Sequence, residues 1–332
     1  FQGLHVDWQI VDEAQEMLES SWGELYQTLN GDGMRWVYGV PNGLRNTYYR
    51  MTLMPEITTF HWPSTKNPEF SEKKRQELLL LYGGERSPGF IHRVLGQHGE
   101  PAHAVFSLED YLACVRNGLD HTDITLREGE ALALPAEVPP GAYYLGCDLG
   151  YARDPSEFVI YEDRGLSLVN VLRLRLEGVN YLRQQEIILE LDAAYRFRGV
   201  GLDAGNSGRA LAHALLGQEG AWEEVLHAYD FGKSLDLPYS RPGTPRPRTK
   251  EFMTELIQRR MLERSIQFPP IADREMQYAS HTYQVGPGGQ IVYEKGHDHL
   301  IDADRCALLR HYFDTAEPLR SPALGISVEF WE

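Results

Sequence analysis

The residues of this sequence best suited to chemistry are carboxylates at the ends of short apolar runs. Tyr143-Tyr144-Leu145-Gly146-Cys147-Asp148-Leu149-Gly150 closes such a run on an acid between glycines. Val200-Gly201-Leu202-Asp203-Ala204-Gly205 repeats the pattern, and Gly296-His297-Asp298-His299-Leu300-Ile301-Asp302-Ala303 brings further acids near the C-terminus. Taken singly, a strand-end Asp caps a turn, and His297-Asp298-His299 reads as a polar helix cap. An acid on a buried strand is costly unless it is paired or holds a metal, and the recurrence of the setting favours the metal. Hard oxygen ligands suit magnesium or manganese rather than zinc. Two such ions about 3.5–4 Å apart can activate a water and stabilise the leaving oxygen of a phosphodiester. In this scheme Asp148 bridges the ions, Asp203 and Asp298 each hold one, and His299 and Asp302 are outer or alternative ligands. Asp298 and Asp302 stand about one helical turn apart, so on a helix both could face one site.

The elements around these acids have a readable order. Residues 143–148, 156–161 and 166–174 predict strands, the last two joined by the Asp163-Arg164-Gly165 turn. Leu182, Ile187, Ile188, Leu191 and Tyr195 recur at helical spacing over 180–197. A strand at 200–203, helices over 209–216 and 251–264, a hairpin tip at Gly286-Pro287-Gly288-Gly289 and a last helix opening within 295–305 follow. Three antiparallel strands, a helix, a strand, a helix and a closing helix bearing the last acid is the order of a ribonuclease H-like fold. There a mixed sheet flanked by helices gathers carboxylates at strand ends, where ligands collect in such sheets.

The first part of the chain has a different character. His5-Val6-Asp7-Trp8-Gln9-Ile10-Val11-Asp12-Glu13 is a largely apolar strand ending in two acids. By itself Asp-Glu often just opens a helix, but the pattern is also that of a Walker B motif, whose Asp holds magnesium through water and whose Glu orients the water attacking ATP. A helix over 17–29, a turn at Asn30-Gly31-Asp32-Gly33, a strand over 35–40, the loop Pro41-Asn42-Gly43 and a short helix from near Leu44 would form part of a parallel P-loop ATPase-type α/β segment. No Gly-x-x-x-x-Gly-Lys-Ser/Thr phosphate loop occurs: Gly232-Lys233-Ser234 has His227 where the first glycine should be, and no helix pattern follows it. After a turn-rich break at 63–68, Ser71 is placed to cap a helix ending at Gly83-Gly84. The expected divisions are 1–95 as the ATPase-type part, 96–140 as a connector rich in glycine and proline, 141–320 as the nuclease-type domain and 321–332 as a tail.

Composition bounds the partners. With 332 residues, 42% hydrophobic and 24% charged, the chain has globular proportions. Cys114, Cys147 and Cys306 form neither a zinc pattern nor a disulfide framework, which makes a reducing cytoplasm the default. No apolar run is long enough to cross a bilayer, and no membrane role is expected. A net charge of −16 argues against a general nucleic-acid coat. It leaves room for a local grip on a DNA backbone by the proline-rich basic loop carrying Arg241, Arg246, Arg248 and Lys250; a solvated turn is the alternative.

Together these stretches resemble the large terminase subunit of tailed bacteriophages, the motor that packages DNA. Val11-Asp12-Glu13-Ala14 is similar to its Walker B segment and Tyr38-Gly39-Val40-Pro41-Asn42-Gly43 to its coupling motif. The stretches around Asp148, Asp203 and Asp298 to Asp302 are similar to its three nuclease motifs. The resemblance implies a metal-dependent endonuclease using two Mg2+ or Mn2+ ions on concatemeric double-stranded DNA, and ATP with Mg2+ for the full-length motor. It also implies a portal protein and a small terminase subunit as partners, in the cytoplasm of an infected host cell or, for a prophage, of the bacterium. Many members carry adjacent acids in the third motif, whereas others have His followed three residues on by Asp, as His299 and Asp302 do. Which of Asp298, His299 and Asp302 binds metal is therefore open. Without a phosphate loop, Asp12 and Glu13 have no nucleotide to act on, so no ATP hydrolysis is expected of this chain alone. A resolvase or transposase of the same fold and a non-catalytic portal-docking scaffold are the alternatives.

Overall fold

The computed structural model describes residues 5–150, 154–205, 208–218, 220, 222–237, 246–286, 291–294 and 298–315. The chain forms two compact units, Phe1–Ala113 with Ile271–Asp298, and Cys114–Pro270 with His299–Glu332.

In the first unit, β1 (Val6–Val11) and β2 (Leu29–Val37) pair in parallel, with α1 (Glu19–Thr28) as the crossover that parallel strands require. The helix starts later than the expected 17 because Glu13 is left-handed at φ 51 and Ala14–Glu16 forms a 3-10 turn. Asn30-Gly31-Asp32-Gly33 lies within β2 and not in a helix-ending turn. The register steps from Val6↔Leu29 to Trp8↔Met34, so these residues bulge from the ladder. The Asn30 side chain donates to Asp7 Oδ1 at 2.6 Å and holds the bulge. α2 (Thr47–Leu53) begins where Asn46 accepts from the Tyr49 amide, slightly beyond the expected Leu44. α3 (Glu72–Tyr82) opens on Ser71 and closes on Gly83 at φ 82, as its sequence predicts. α4 (Pro88–Arg93) and α5 (Leu108–Leu112) follow. Val11, Ala14, Trp22 and Met51 form a small core beneath β1 and α1.

The second unit contains β3 (Thr122–Arg127), β4 (Ala142–Asp148), β5 (Ser156–Asp163), β6 (Leu168–Glu177), α6 (Tyr181–Tyr195), β7 (Gly199–Asp203), α7 (Gly208–Leu216), α8 (Trp222–Val225), β8 (Leu226–Tyr229), α9 (Thr249–Leu262) and β9 (Ile266–Gln267). The chain then returns to the first unit as α10 (Ala272–Ser280) and the antiparallel pair β10 (Tyr283–Val285) and β11 (Ile291–Tyr293). Most of the expected tip between these strands, 287–290, lies outside the described residues. α11 (His299–Thr315) closes the second unit.

The seven-stranded sheet runs β3-β6-β5-β4-β7-β8, with β9 beside β6. β4–β5 and β5–β6 are antiparallel; β4–β7 and β7–β8 are parallel. An antiparallel meander extended by parallel strands on the far side of its first strand is the expected ribonuclease H-like arrangement. The stretch 96–140, expected as a connector, supplies the edge strand β3 in parallel with β6. Ile124 and Leu126 turn onto the main core, but two apolar positions in a polar strand are too weak a period to read. α6 and α7 cover one face through Ile187, Ile188, Leu191, Leu211 and Leu215. α11 covers the other, together with α9, through Met253, Leu256, Cys306 and Leu309.

Candidate active site

The closing helix lies flat on the sheet because glycines make room for it. A Cβ on Gly146 would run into the Ala303 carbonyl and stand 2.6 Å from the Ala307 nitrogen; one on Gly201 would press on the Cys306 carbonyl. Side chains alternate along a strand, so Gly146 and Asp148 share the α11 face of β4, and Gly201 and Asp203 share it on β7. The register pairs Gly146 with Gly201 and Cys147 with Leu202. Asp148 and Asp203 are therefore the next residues on neighbouring strands, just beyond the point where the helix touches down.

α11 brings the other members. His299 Nδ1 lies 2.8 Å from Asp148 Oδ2. Asp302, one turn on, receives Lys250 Nζ from α9 at 2.9 Å on Oδ2, and Arg305 on Oδ1. Arg305 is wholly buried and also donates to Thr254 Oγ1 at 3.0 Å, so α9 and α11 are tied around Asp302. Lys250 Nζ also stands 5.3 Å from the centre of the Phe231 ring.

The charges act on one another. Burial pushes the Asp148 carboxyl up to about 7, with the charges of Asp302 and Asp203 adding to the rise and His299 opposing it. Burial likewise raises Asp203 to about 6, helped by Asp302 and Asp230 and opposed by the Gly205 amide and Lys250. Burial would also raise Asp302, but Arg305 and Lys250 outweigh it and hold this carboxyl below its ordinary value. Asp148, Asp203 and Asp302 thus form one electrostatic cluster. Cys306 is buried beside it, and its thiol is pushed well up by burial and by all three carboxylates.

Among the described residues, no three His, Cys, Asp or Glu side chains are placed so as to hold a metal ion directly. Both oxygens of Asp302 are engaged by cations, and Asp148 is engaged by His299. In kind the donors fit a hard divalent ion, since carboxylate oxygens crowd a partly buried spot that already draws in an ammonium and a guanidinium.

The sequence-predicted residues fall out unevenly. Asp148, Asp203, His299 and Asp302 come together in the second unit. Asp298 directly precedes α11, at its cap position, and Asp302 lies in the first turn. In the basic loop, Arg241 lies outside the described residues. Arg246 pairs with Asp236 at 2.8 Å, Arg248 approaches Glu251 at 4.0 Å, and Lys250 turns inward to Asp302. In the first unit, Glu13 follows β1, accepts from Gln15 Nε2 at 2.5 Å, and its amide donates to Asp12 Oδ1 at 3.0 Å. Gln15 Oε1 in turn accepts from the Val40 amide at 3.0 Å, which ties the Asp12-Glu13 end to the 38–43 loop.

Three participants lie beyond the sequence expectations. Arg305 neutralises Asp302 from within the helix, and Asp230, held by Arg209 at 2.7 Å, adds its charge to Asp203. Glu157, opposite Asp148 on β5, is wholly buried between Arg173 and Arg175. Only the last has a signal in the sequence, an acid inside an apolar strand with Arg173 and Arg175 alternating on the next.

No family model matches this sequence, and no curated protein matches it. Among solved structures, the chain is similar to a large terminase from a thermophilic bacteriophage, at 15% identity over 95% of this chain and 71% of that one, with a TM-score of 0.40. It is similar to the large terminase nuclease from thermophilic phage G20c with bound magnesium, at 20% identity over 63% and 99% of the two chains, with a TM-score of 0.44. The large terminase nuclease domain of Thermus phage P74-26 gives 16% identity over 61% and 93%, with a TM-score of 0.42.

Proposed function

We propose that the second unit is the metal-dependent endonuclease of a viral DNA-packaging terminase. The observation that carries this reading is the convergence of Asp148, Asp203 and Asp302 at the ends of β4 and β7 and the first turn of α11. Asp148, Asp203 and Asp302 would hold Mg2+ or Mn2+, with His299 steadying Asp148. Bound there, such ions supply Lewis-acid activation of water and stabilise the leaving oxygen of a phosphodiester. The chain's own residues orient and neutralise. His299 fixes the Asp148 carboxylate, Arg305 keeps Asp302 ionised, and Lys250 is a cation that can move between Asp302 and a substrate phosphate. Asp298 stays outside this set.

The larger assignment rests on the order of the motifs. Asp12 and Glu13, tied through Gln15 to the 38–43 loop, would be the trailing part of an ATPase in a longer motor that works on double-stranded DNA with a portal protein and a small subunit, inside the infected cell. Arg246 and Arg248, with Arg241, would contact the DNA backbone by exchanging their present acidic partners for phosphates. Cleavage of supercoiled plasmid tests the reading: cutting with manganese or magnesium, loss with chelator, and background activity in Asp148→Asn are expected. Cutting by Asp148→Asn at the parent rate, or in the presence of chelator, would remove the metal-site assignment; no cutting by the parent would leave the non-catalytic scaffold.

A further inference from the structure

Within the first unit, three nitrogen-bearing side chains stand within one another's field, each with one buried nitrogen that makes no hydrogen bond. The Arg45 guanidinium stacks on the Tyr49 ring at 4.2 Å. The His98 ring meets the same tyrosine edge-on at 5.0 Å and Tyr48 at 5.6 Å. His92, from α4, is buried at 6% exposure, with its Nε2 beside Gly99, the residue after His98. Arg45 Nη1, His92 Nε2 and His98 Nδ1 are all buried and make no hydrogen bond. Buried polar nitrogens are nearly always satisfied; a group of orphans at one place points to a shared partner.

Their chemistry says what kind. Arg45 is a permanent cation with a planar fork suited to oxyanions. The two imidazoles stand within its field and each other's: burial, then Arg45 and His92, hold His98 down to about 4, while burial, then Arg93 and Arg45, lower His92 against the pull of the Glu100 carbonyl. Cation-capable groups pressed together repel, and an anion between them would reverse that and satisfy all three nitrogens. Tyr48 is not available to it, since its hydroxyl donates to the Gly39 carbonyl at 2.8 Å.

We propose that Arg45, His92 and His98 form a binding site for a single phosphate group, either free phosphate or the terminal phosphate of a nucleotide. Arg45 follows directly on the Pro41-Asn42-Gly43-Leu44 loop, and its neighbour Asn46 donates to the Gln15 carbonyl at 3.0 Å. Occupancy would therefore be felt next to Glu13.

Imidazole carbon–proton NMR signals of the whole chain, titrated with inorganic phosphate and separately with ATP, test this. Saturable shifts of the His92 and His98 signals, with His299 unmoved, are expected. Arg45→Gln should weaken binding by about tenfold or more, as for loss of a charged hydrogen bond. Arg45→Lys, which keeps the charge and the fold but not the fork, should weaken it less. Tighter binding of ATP than of phosphate would assign the site to nucleotide, and the reverse order to free phosphate. Absence of a saturable shift at His92 and His98, or Arg45→Lys and Arg45→Gln responding like the parent, would overturn the proposal and leave the nitrogens to buried water.

Discussion

At the scale of single residues, the cluster is a balance of charge with measurable consequences. Asp148 and Asp203 ionise near 7 and 6 in the folded protein, against an ordinary value of 3.8. Between these limits the unfolded chain binds fewer protons than the folded one, so stability falls as pH rises from about 4 to about 7. Asp302 has the opposite sign: its lowered value stabilises the fold above the ordinary range and is lost as pH falls through it. In chelator-treated protein unfolded in urea, these two carboxyls should therefore contribute a loss of stability between pH 5 and pH 7, by a few kcal/mol at most, against an opposing gain from the lowered His92 and His98. Asp148→Asn should flatten that slope; an unchanged slope would show that Asp148 is not the strained group. Lys250→Met removes the cation that now occupies Asp302, so manganese should bind this variant more tightly by calorimetry, even if cleavage suffers. Weaker binding would mean that Lys250 organises the carboxylate and does not compete for it. Glu157 is a different case: wholly buried between two arginines, its replacement by Gln removes the carboxylate both guanidiniums share, leaving Arg173 beside Asp123 at 3.4 Å and Arg175 beside Glu177 at 3.2 Å, and should cost up to about 3–5 kcal/mol in thermal or urea unfolding.

At the scale of elements, much is legible in the sequence because local signals agree. Gly146-Cys147-Asp148 and Gly201-Leu202-Asp203 repeat a spacing that structure explains: glycine where α11 touches the sheet, acid one alternation further on. The sequence shows the repeat but not the helix that needs it. The caps Ser71 and Asn180 are readable or nearly so, since Asn180 accepts from the Arg183 amide at 3.0 Å and opens α6 where the apolar period starts. The start of β2 reads as a turn because Asn30-Gly31-Asp32-Gly33 has turn composition, and only pairing with β1 reveals a bulge. Acids favour first turns, which puts Asp298 on the closing helix by sequence alone; the helix begins one residue later, at His299. Gly146→Ala and Gly201→Ala test the contact directly. Each should lower the melting temperature through about 1–3 kcal/mol of overpacking and displace α11 from the sheet. A melting curve like the parent's would contradict the close approach.

At the scale of the whole molecule, each unit carries its own expectation. In the first, Trp8, Ile10, Met34 and Trp36 lie together on one face of the β1–β2 pair and are between 38% and 73% exposed. Parallel strands ordinarily have both faces covered, so this chain should take up a hydrophobic dye, and Trp8→Lys with Ile10→Lys should lower the uptake. An unaltered dye signal would place the apolar surface elsewhere. In the second unit, Asp148, Asp203 and Asp302, and not Asp298, are proposed to gather divalent ions. Manganese titration followed by electron paramagnetic resonance measures this without reference to cleavage. About two bound ions are expected for the parent and for Asp298→Asn, and fewer or much weaker ions for Asp302→Asn. Full binding by Asp302→Asn with loss in Asp298→Asn would contradict the assignment.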